Sequence, residues 1–232
     1  MLEKKQDNRR QFSPMQKQLY YRGEKDAKKV HSWKKKLQET CKHCKSFDLR
    51  QSALVVVDMQ HYFLDAHSHA FVPSSPAILP NVSKLIQLFR DAGRPVILTY
   101  FAVEKHEQDP IGEWWGRTVY EGTTESRIVE EIAPEKDDLV IRKPSYSSFH
   151  GTELDSFLRE QGAHSLLVTG VLTNLCCDTT AREAFSHGFD VFIAMDATAS
   201  FNEEMHLSSL INLSYGFATP LSTEDLLSSP HS

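Results

Sequence analysis

Three residues of the sequence could together perform nucleophilic catalysis: Asp58, Lys143 and Cys176. A cysteine nucleophile needs a group that accepts its proton and later protonates the leaving group. Asp58 could do this proton work, and Lys143 could stabilise the negative charge of a thiolate. Each residue also has a purely structural interpretation, as a buried cysteine, a turn-capping aspartate or a surface lysine. The three are therefore informative only if the fold brings them together.

The segment around Cys176 is typical of a strand, a tight turn and a helix. The strand is expected at Ser165 to Val171 and the helix at Cys176 to His187, with Gly188 ending it. A cysteine in a first helical turn lies near unpaired backbone N–H groups, which favour the thiolate and could also hold an oxyanion. We therefore expect Cys176 to be a thiolate at neutral pH. Cys177, about 100° further around the helix, should pack away from the site.

Apolar runs and helix-like spacing alternate along the chain, which predicts a parallel sheet covered by helices. Strands are expected at Ala53 to Asp58, Pro95 to Phe101, Asp138 to Lys143, Ser165 to Val171, Val191 to Asp196 and Ala218 to Leu221. Helices are expected at Pro80 to Gly93, Thr124 to Ile132, Gly151 to Gln161, Cys176 to His187 and Glu203 to Phe217, with a loop from Glu104 to Thr123. Right-handed crossovers then give an α/β fold, a three-layer α/β/α sandwich around a six-stranded, mostly parallel, Rossmann-like sheet. Ligands bind such sheets beyond the carboxyl ends of the strands, where the three candidate residues are expected.

Residues 1–50 form a basic N-terminal extension, and residues 51–232 form the α/β domain. The extension holds 15 Lys and Arg against 6 Asp and Glu, although the whole chain has a net charge of −5. The spacing of Val30, Trp33 and Leu37 predicts an amphipathic helix that docks on the domain. The lysines could attract nucleic acid or a membrane surface, but a solvated helix is favoured and neither partner is expected. We expect the extension to lie outside the catalytic machinery.

The four cysteines do not make a disulfide framework, which favours a reducing, cytoplasmic location. The sequence has no apolar run of the roughly 18 residues that a membrane span needs, and its start lacks the apolar core of a secretion signal. Cys41-Lys-His-Cys44 offers two thiolates for a metal or redox site. No second pair completes a tetrahedral set, so a connector is the favoured interpretation.

Three motifs in order resemble the isochorismatase-like cysteine hydrolases, over about residues 52–227. They are Val57-Asp58-Met59-Gln60 followed by Phe63, Arg142-Lys143-Pro-Ser-Tyr146-Ser-Ser-Phe149, and Thr169-Gly-Val-Leu-Thr-Asn-Leu-Cys176. The resemblance implies a catalytic triad of Asp58, Lys143 and Cys176. It also implies a non-proline cis peptide at Val171–Leu172, and an oxyanion hole made by the backbone N–H groups of Leu172 and Cys176.

The resemblance leaves the reaction open among branches of the family. Nicotinamidases share an Asp-x-His metal motif after the second strand, and Thr99-Tyr-Phe101 stands there instead, so no metal is expected. True isochorismatases cleave a vinyl ether, and several carry a non-nucleophilic residue at the position of Cys176. The retained thiol therefore favours hydrolysis of a small amide or ureide (N-carbamoyl) C–N bond. Vinyl ether hydrolysis and a non-enzymatic binding or scaffold module remain the alternatives.

The partner that this reaction implies is a small-molecule substrate, in a pocket walled by Phe63, Trp115 and Tyr146. No organic cofactor or metal is required for acyl transfer through a cysteine. The chain lacks a glycine-rich phosphate loop and a G-x-S-x-G elbow, which argues against nucleotide-binding and serine esterase functions. A homo-oligomer, either a dimer or a tetramer, is expected.

Overall fold

Six strands form one parallel sheet in a computed structural model that describes residues 16–228. The strands are β1 Ser52–Val57, β2 Val96–Phe101, β3 Leu139–Lys143, β4 Ser165–Val171, β5 Asp190–Ala199 and β6 Ala218–Leu221. Their order in the sheet is β3-β2-β1-β4-β5-β6, and every neighbouring pair is parallel. The predicted α/β sandwich with a six-stranded sheet is therefore confirmed.

Helices pack around this sheet and connect its strands. They are α1 Ala27–Thr40, α2 His61–Leu64, α3 Ser75–Asp91, α4 Pro110–Trp115, α5 Leu154–Glu160, α6 Asp178–Ser186, α7 Glu203–Gly216 and α8 Thr223–Ser228. Every residue of β1 and β4 is buried, as expected for central strands covered on both faces. From β1 the chain builds the sheet outwards in one direction, through β2 and β3, and from β4 it builds outwards in the other, through β5 and β6. The boundary between β1 and β4 is therefore the topological switch point, where sheets of this kind form their ligand-binding crevice.

The helix predicted at Thr124 to Ile132 is wrong, since only a 3₁₀ turn at Glu130–Ile132 forms there. The backbone of this segment bonds to the loop after β1 instead. The carbonyl of Glu125 accepts from the N–H of Tyr62 at 3.1 Å and from the side chain of Gln60 at 3.0 Å. Carbonyls used in this way cannot continue the hydrogen-bond pattern of an α-helix.

The expected loop from Glu104 to Thr123 contains α4, which Asp109 caps by accepting from the N–H of Gly112 at 2.7 Å.

The described part of the N-terminal extension shares the core of the domain. Helix α1 forms as predicted and buries Trp33 and Leu37. The aromatic rings of Tyr20 and Tyr21, which precede α1, are also buried in the same core cluster. The boundary at residue 50 therefore separates sequence segments and not separately packed bodies.

The Cys41-Lys-His-Cys44 segment follows α1, and a disulfide joins its two cysteines, whose Cα atoms are 5.5 Å apart. Both sulfurs are therefore bonded to each other, which leaves the metal interpretation of this pair without support.

Between residues 16 and 228, no helix has the length and apolar character that crossing a bilayer would demand.

Candidate active site

The three candidate residues meet at the topological switch point between β1 and β4. Asp58 directly follows β1, Lys143 ends β3, and Cys176 lies in the turn after β4. The Nζ of Lys143 is 2.7 Å from Oδ2 of Asp58, and neither side chain exposes any surface to solvent. Cys176 is 4% exposed and interacts with both charged groups.

Asp58 is held in a left-handed backbone conformation, with φ of 51°. A residue other than glycine adopts this conformation at a cost of roughly 1–3 kcal/mol, which the surroundings must offset. Thr99 of β2 supplies part of that constraint, because its carbonyl accepts from the N–H of Asp58 at 3.1 Å. Its hydroxyl also donates to Oδ1 of Asp58 at 2.9 Å. Within residues 16–228, the other oxygen, Oδ2, has the ion pair with Lys143 and no well-aligned hydrogen bond, so it can still accept a proton.

Lys143 remains an ammonium ion in this buried position. Burial acts to lower the pKa of Lys143, but the negative charge of Asp58 opposes it, and the pKa is raised above the usual lysine value of 10.5. The Nζ also donates to the carbonyl of Ser145 at 2.9 Å. A fixed positive charge therefore lies beside both the carboxylate and the thiol.

The expectation that Cys176 is a thiolate at neutral pH is wrong for the free site. Burial raises the pKa of the Cys176 thiol to about 12, and the positive charge of Lys143 only partly opposes this. A hydrogen bond to Asp58 also favours the protonated form. The free site therefore holds a neutral thiol beside a carboxylate.

The turn that carries Cys176 is a π-helical turn over Thr173–Cys177 and not the first turn of an α-helix. The N–H of Cys177 reaches the carbonyl of Leu172, five residues back, at 3.1 Å. Such π-turns occur frequently at functional sites. The peptide bond between Val171 and Leu172 is cis. Within residues 16–228, neither Leu172 nor Cys176 donates its N–H to a backbone oxygen outside the turn.

Two further contacts fix this turn on the sheet. Gly170, with φ of +100°, lies against β1 so closely that a Cβ there would be 2.0 Å from the carbonyl oxygen of Val57. Thr173 contacts the buried His206 through its hydroxyl, which is 2.9 Å from Nδ1. Burial lowers the pKa of His206 to about 3, so the ring is neutral.

Cys176 opens into a cavity of about 280 Å³ beyond the ends of the strands. The three predicted wall residues, Phe63, Trp115 and Tyr146, all line this cavity. Trp115 and Tyr146 are joined by a hydrogen bond of 2.8 Å from the indole N–H to the phenol oxygen. A larger cavity of about 500 Å³ lies near α1 and α8, but it contains none of the three candidate catalytic residues.

Cys177 does not line the cavity that contains Cys176. Its side chain is completely buried, and its sulfur lies 3.7 Å from the carbonyl of Thr169 in β4. The pKa of the Cys177 thiol is raised well above its usual value, first because of burial. Of the two adjacent cysteines, Cys176 is therefore the one that a small molecule could reach.

Four polar residues are among those that the structure places at this site and that sequence reasoning missed. Lys17 and Arg117 line the cavity, Thr99 contacts Asp58, and His206 contacts the turn. Thr99 belongs to the Thr99-Tyr-Phe101 segment, which stands where nicotinamidases have their Asp-x-His metal motif. The others come from distant parts of the chain, and no local pattern marks them. In the described chain, no group of three or more His, Cys, Asp or Glu side chains is arranged to hold a metal ion.

Comparison with known proteins gives one family. Residues 52–225 match the family model described as the isochorismatase domain. Nicotinamidase 3 of Arabidopsis thaliana is 41% identical over 174 residues, which cover 72% of this chain and 82% of that protein.

Solved structures of similar fold include two hydrolases. A cysteine hydrolase from Pseudomonas syringae pv. phaseolicola 1448A matches with a TM-score of 0.74 at 27% identity, covering 78% of this chain and 92% of the other. N-carbamoylsarcosine amidase from Thermoplasma acidophilum matches with a TM-score of 0.68 at 30% identity, covering 75% of this chain and 97% of the other.

Proposed function

The chain belongs to the isochorismatase family of hydrolases, and from that premise we propose that it cleaves the C–N bond of a small amide or ureide through a thioester on Cys176. The observation that supports this most strongly is the buried Asp58–Lys143 pair, with Nζ and Oδ2 2.7 Å apart, next to the thiol. The pair supplies a proton acceptor and a fixed positive charge to the one cysteine that opens into the cavity.

In the first half of the reaction, the Cys176 sulfur attacks the substrate carbonyl carbon while Asp58 takes the thiol proton. Since the pKa of the free thiol is raised to about 12, proton transfer accompanies attack and does not precede it. Lys143 stabilises the negative charge that develops. The N–H groups of Leu172 and Cys176 donate to the oxyanion of the tetrahedral intermediate. The C–N bond then breaks as Asp58 returns its proton to the leaving nitrogen, and ammonia or an amine departs.

In the second half, water cleaves the thioester. Asp58, again a carboxylate, removes a proton from the water as its oxygen attacks the thioester carbonyl. The C–S bond breaks and the proton returns to the sulfur of Cys176, which regenerates the free site. The products are one carboxylic or carbamic acid and one amine or ammonia, which balances the hydrolysis of one amide bond by one water.

The cavity favours a small, flat substrate. Its volume of about 280 Å³ and its aromatic walls, formed by Phe63, Trp115 and Tyr146, suit a planar amide or ureide. Two of the similar proteins are named as a nicotinamidase and an N-carbamoylsarcosine amidase, and both names denote substrates with such a bond. Vinyl ether cleavage would leave the buried thiol without a role.

The experiment is a panel assay on the purified full chain, with nicotinamide, benzamide, N-carbamoyl amino acids and isochorismate as probes. Ammonia release from amides or ureides that disappears in Cys176→Ala supports the proposal. Turnover confined to the vinyl ether, or undiminished in Cys176→Ala, would exclude it. Exhaustive chelation should leave the rate unchanged, because none of the proposed steps uses a metal.

We further propose that the chain forms a homo-oligomer. Large apolar side chains stay exposed on the described chain, among them Trp114 at 79% and Tyr215 at 71%. Exposed aromatic side chains are enriched at protein interfaces. Light scattering gives the mass directly, and a monomer at micromolar concentration would contradict the oligomer.

A further inference from the structure

Residues 16–22, here called the N-terminal strap, pass beside the cavity that contains the candidate nucleophile and contribute Lys17 to its lining. The N–H of Gln18 donates to the carbonyl of Phe201 at 2.8 Å, which ties the strap to the loop after β5. The N–H of Tyr20 donates to the hydroxyl of Ser74 at 3.2 Å, which ties the strap to the start of α3. The strap is therefore held to the domain at two points, one of which, Phe201, lines the cavity.

Lys17 of the strap lines the same cavity as Cys176. Its Nζ donates to the carbonyl of His69 at 2.8 Å and lies 4.7 Å from the centre of the Phe201 ring. Among residues 16–228, no carboxylate forms an ion pair with Lys17. Lys17 is exposed to solvent, and within residues 16–228 its ammonium contacts a carbonyl and an aromatic face but no opposite charge.

The second cation of the cavity is already neutralised. Nη2 of Arg117 lies 2.5 Å from Oε1 of Glu125, so this pair contributes little net charge. The other lining residues are mostly aromatic or aliphatic. Lys17 is thus an exposed positive charge that lines a largely apolar cavity and has no ion-pair partner among residues 16–228.

We propose that Lys17 binds an anionic group of the substrate and that it selects small amides or ureides that carry a carboxylate. The inference rests on the proposed function in one respect, since it takes the cavity at Cys176 as the substrate site. The strap lies outside residues 52–225, which the family model matches. The N-terminal extension therefore supplies a specificity determinant to the hydrolase domain.

The test compares two alkylating probes of similar size, iodoacetate and iodoacetamide, which differ by one negative charge. Rates of modification of Cys176 are measured at pH 9 by peptide mass spectrometry, for the full-length chain. The positive charge should favour iodoacetate, so Lys17→Met should lower the ratio of the iodoacetate rate to the iodoacetamide rate by about tenfold. Lys17→Arg, which keeps the charge, should preserve most of the ratio. The matched control is Lys36→Met, an exposed lysine of α1 that does not line the cavity, and it should leave the ratio unchanged.

A ratio that is the same in the wild type and in Lys17→Met would overturn the inference. So would an equal fall in Lys36→Met, since it would show only a general effect of net charge. Alkylation requires no hydrolysis, so these outcomes concern Lys17 and leave the amidase proposal standing. Conversely, an enzyme that keeps its amidase activity in Cys176→Ala would refute the proposed function without changing the alkylation ratio in the wild type.

Discussion

The Nζ of Lys143 lies 2.7 Å from Oδ2 of Asp58, and neither side chain exposes any surface to solvent. A buried ion pair contributes little net stability, because desolvating two charges offsets their attraction. Removing one partner, however, leaves an uncompensated charge. The pair is therefore better explained by its position beside Cys176 than by a structural role.

Lys143→Met should abolish turnover and lower the free energy of unfolding by roughly 3–5 kcal/mol, because Asp58 would remain buried and unpaired. Denaturant unfolding followed by circular dichroism measures the change. Lys84→Met, which breaks an exposed pair with Glu24, is the control and should change stability little. A double variant, Asp58→Asn with Lys143→Met, should be less destabilised than the sum of the single variants. Wild-type stability in Lys143→Met would show that the pair is not coupled.

Thr99→Val should lower kcat while leaving KM nearly unchanged, because the lost hydroxyl donates to Oδ1 of Asp58 and touches no substrate. A hydrogen bond to a charged acceptor is worth about 1.5–3 kcal/mol, so the expected loss is about tenfold to a hundredfold. Thr198→Val is the matched control, since Thr198 is also buried and its hydroxyl has no partner within the described residues. An equal loss of kcat in both variants would contradict the role of Thr99.

Alkylation of Cys176 in the free enzyme should be slow at pH 7 and should accelerate up to at least pH 10. The thiolate is the reactive form, and the pKa of the thiol is raised to about 12, so the thiolate fraction grows throughout that range. Iodoacetamide labelling of the Cys176 peptide at a series of pH values measures it. A rate that reaches a plateau below pH 8 would mean that Lys143 outweighs burial and that the free site holds a thiolate.

Most of the fold could be predicted from sequence, because the buried strands are continuous apolar runs. Strand β4 was predicted at its observed bounds, Ser165–Val171, and β6 at Ala218–Leu221. The segment from Thr124 to Ile132 failed because its carbonyls bond to the loop after β1, a long-range competition that local spacing does not reveal. Strand β5 extends to Ala199, beyond the predicted end at Asp196, where pairing with β4 resumes after an irregularity.

The residues of the candidate site, too, could be predicted only in part. Asp58, Lys143 and Cys176 could be found because each stands at the end of a strand in a recognisable motif. Lys17 could not, because only the path of the N-terminal strap brings it to the cavity. The protonation of Cys176 depends on its burial, which outweighs a neighbouring ammonium ion and cannot be read from residue types.

The pH dependence of stability should contain a term from His206. Its pKa is lowered to about 3 in the folded protein by burial, so the unfolded chain binds one more proton between about pH 6.5 and 3. This contribution to stability is present above pH 6.5 and is lost as the pH falls, with a slope of up to about 1.4 kcal/mol per pH unit. His206→Gln should reduce that slope, while His67→Gln, at an exposed position, should not. Identical slopes in the wild type and His206→Gln would refute this assignment.

The central claim is that the reaction passes through an acyl group on the sulfur of Cys176. The most direct measurement is rapid acid quenching during turnover of an amide identified by the panel assay, followed by peptide mass spectrometry. The predicted result is an acyl group on Cys176 in the wild type and in Cys177→Ala, with neither acylation nor turnover in Cys176→Ala. An acyl group on Cys177, or normal turnover by Cys176→Ala, would contradict the claim.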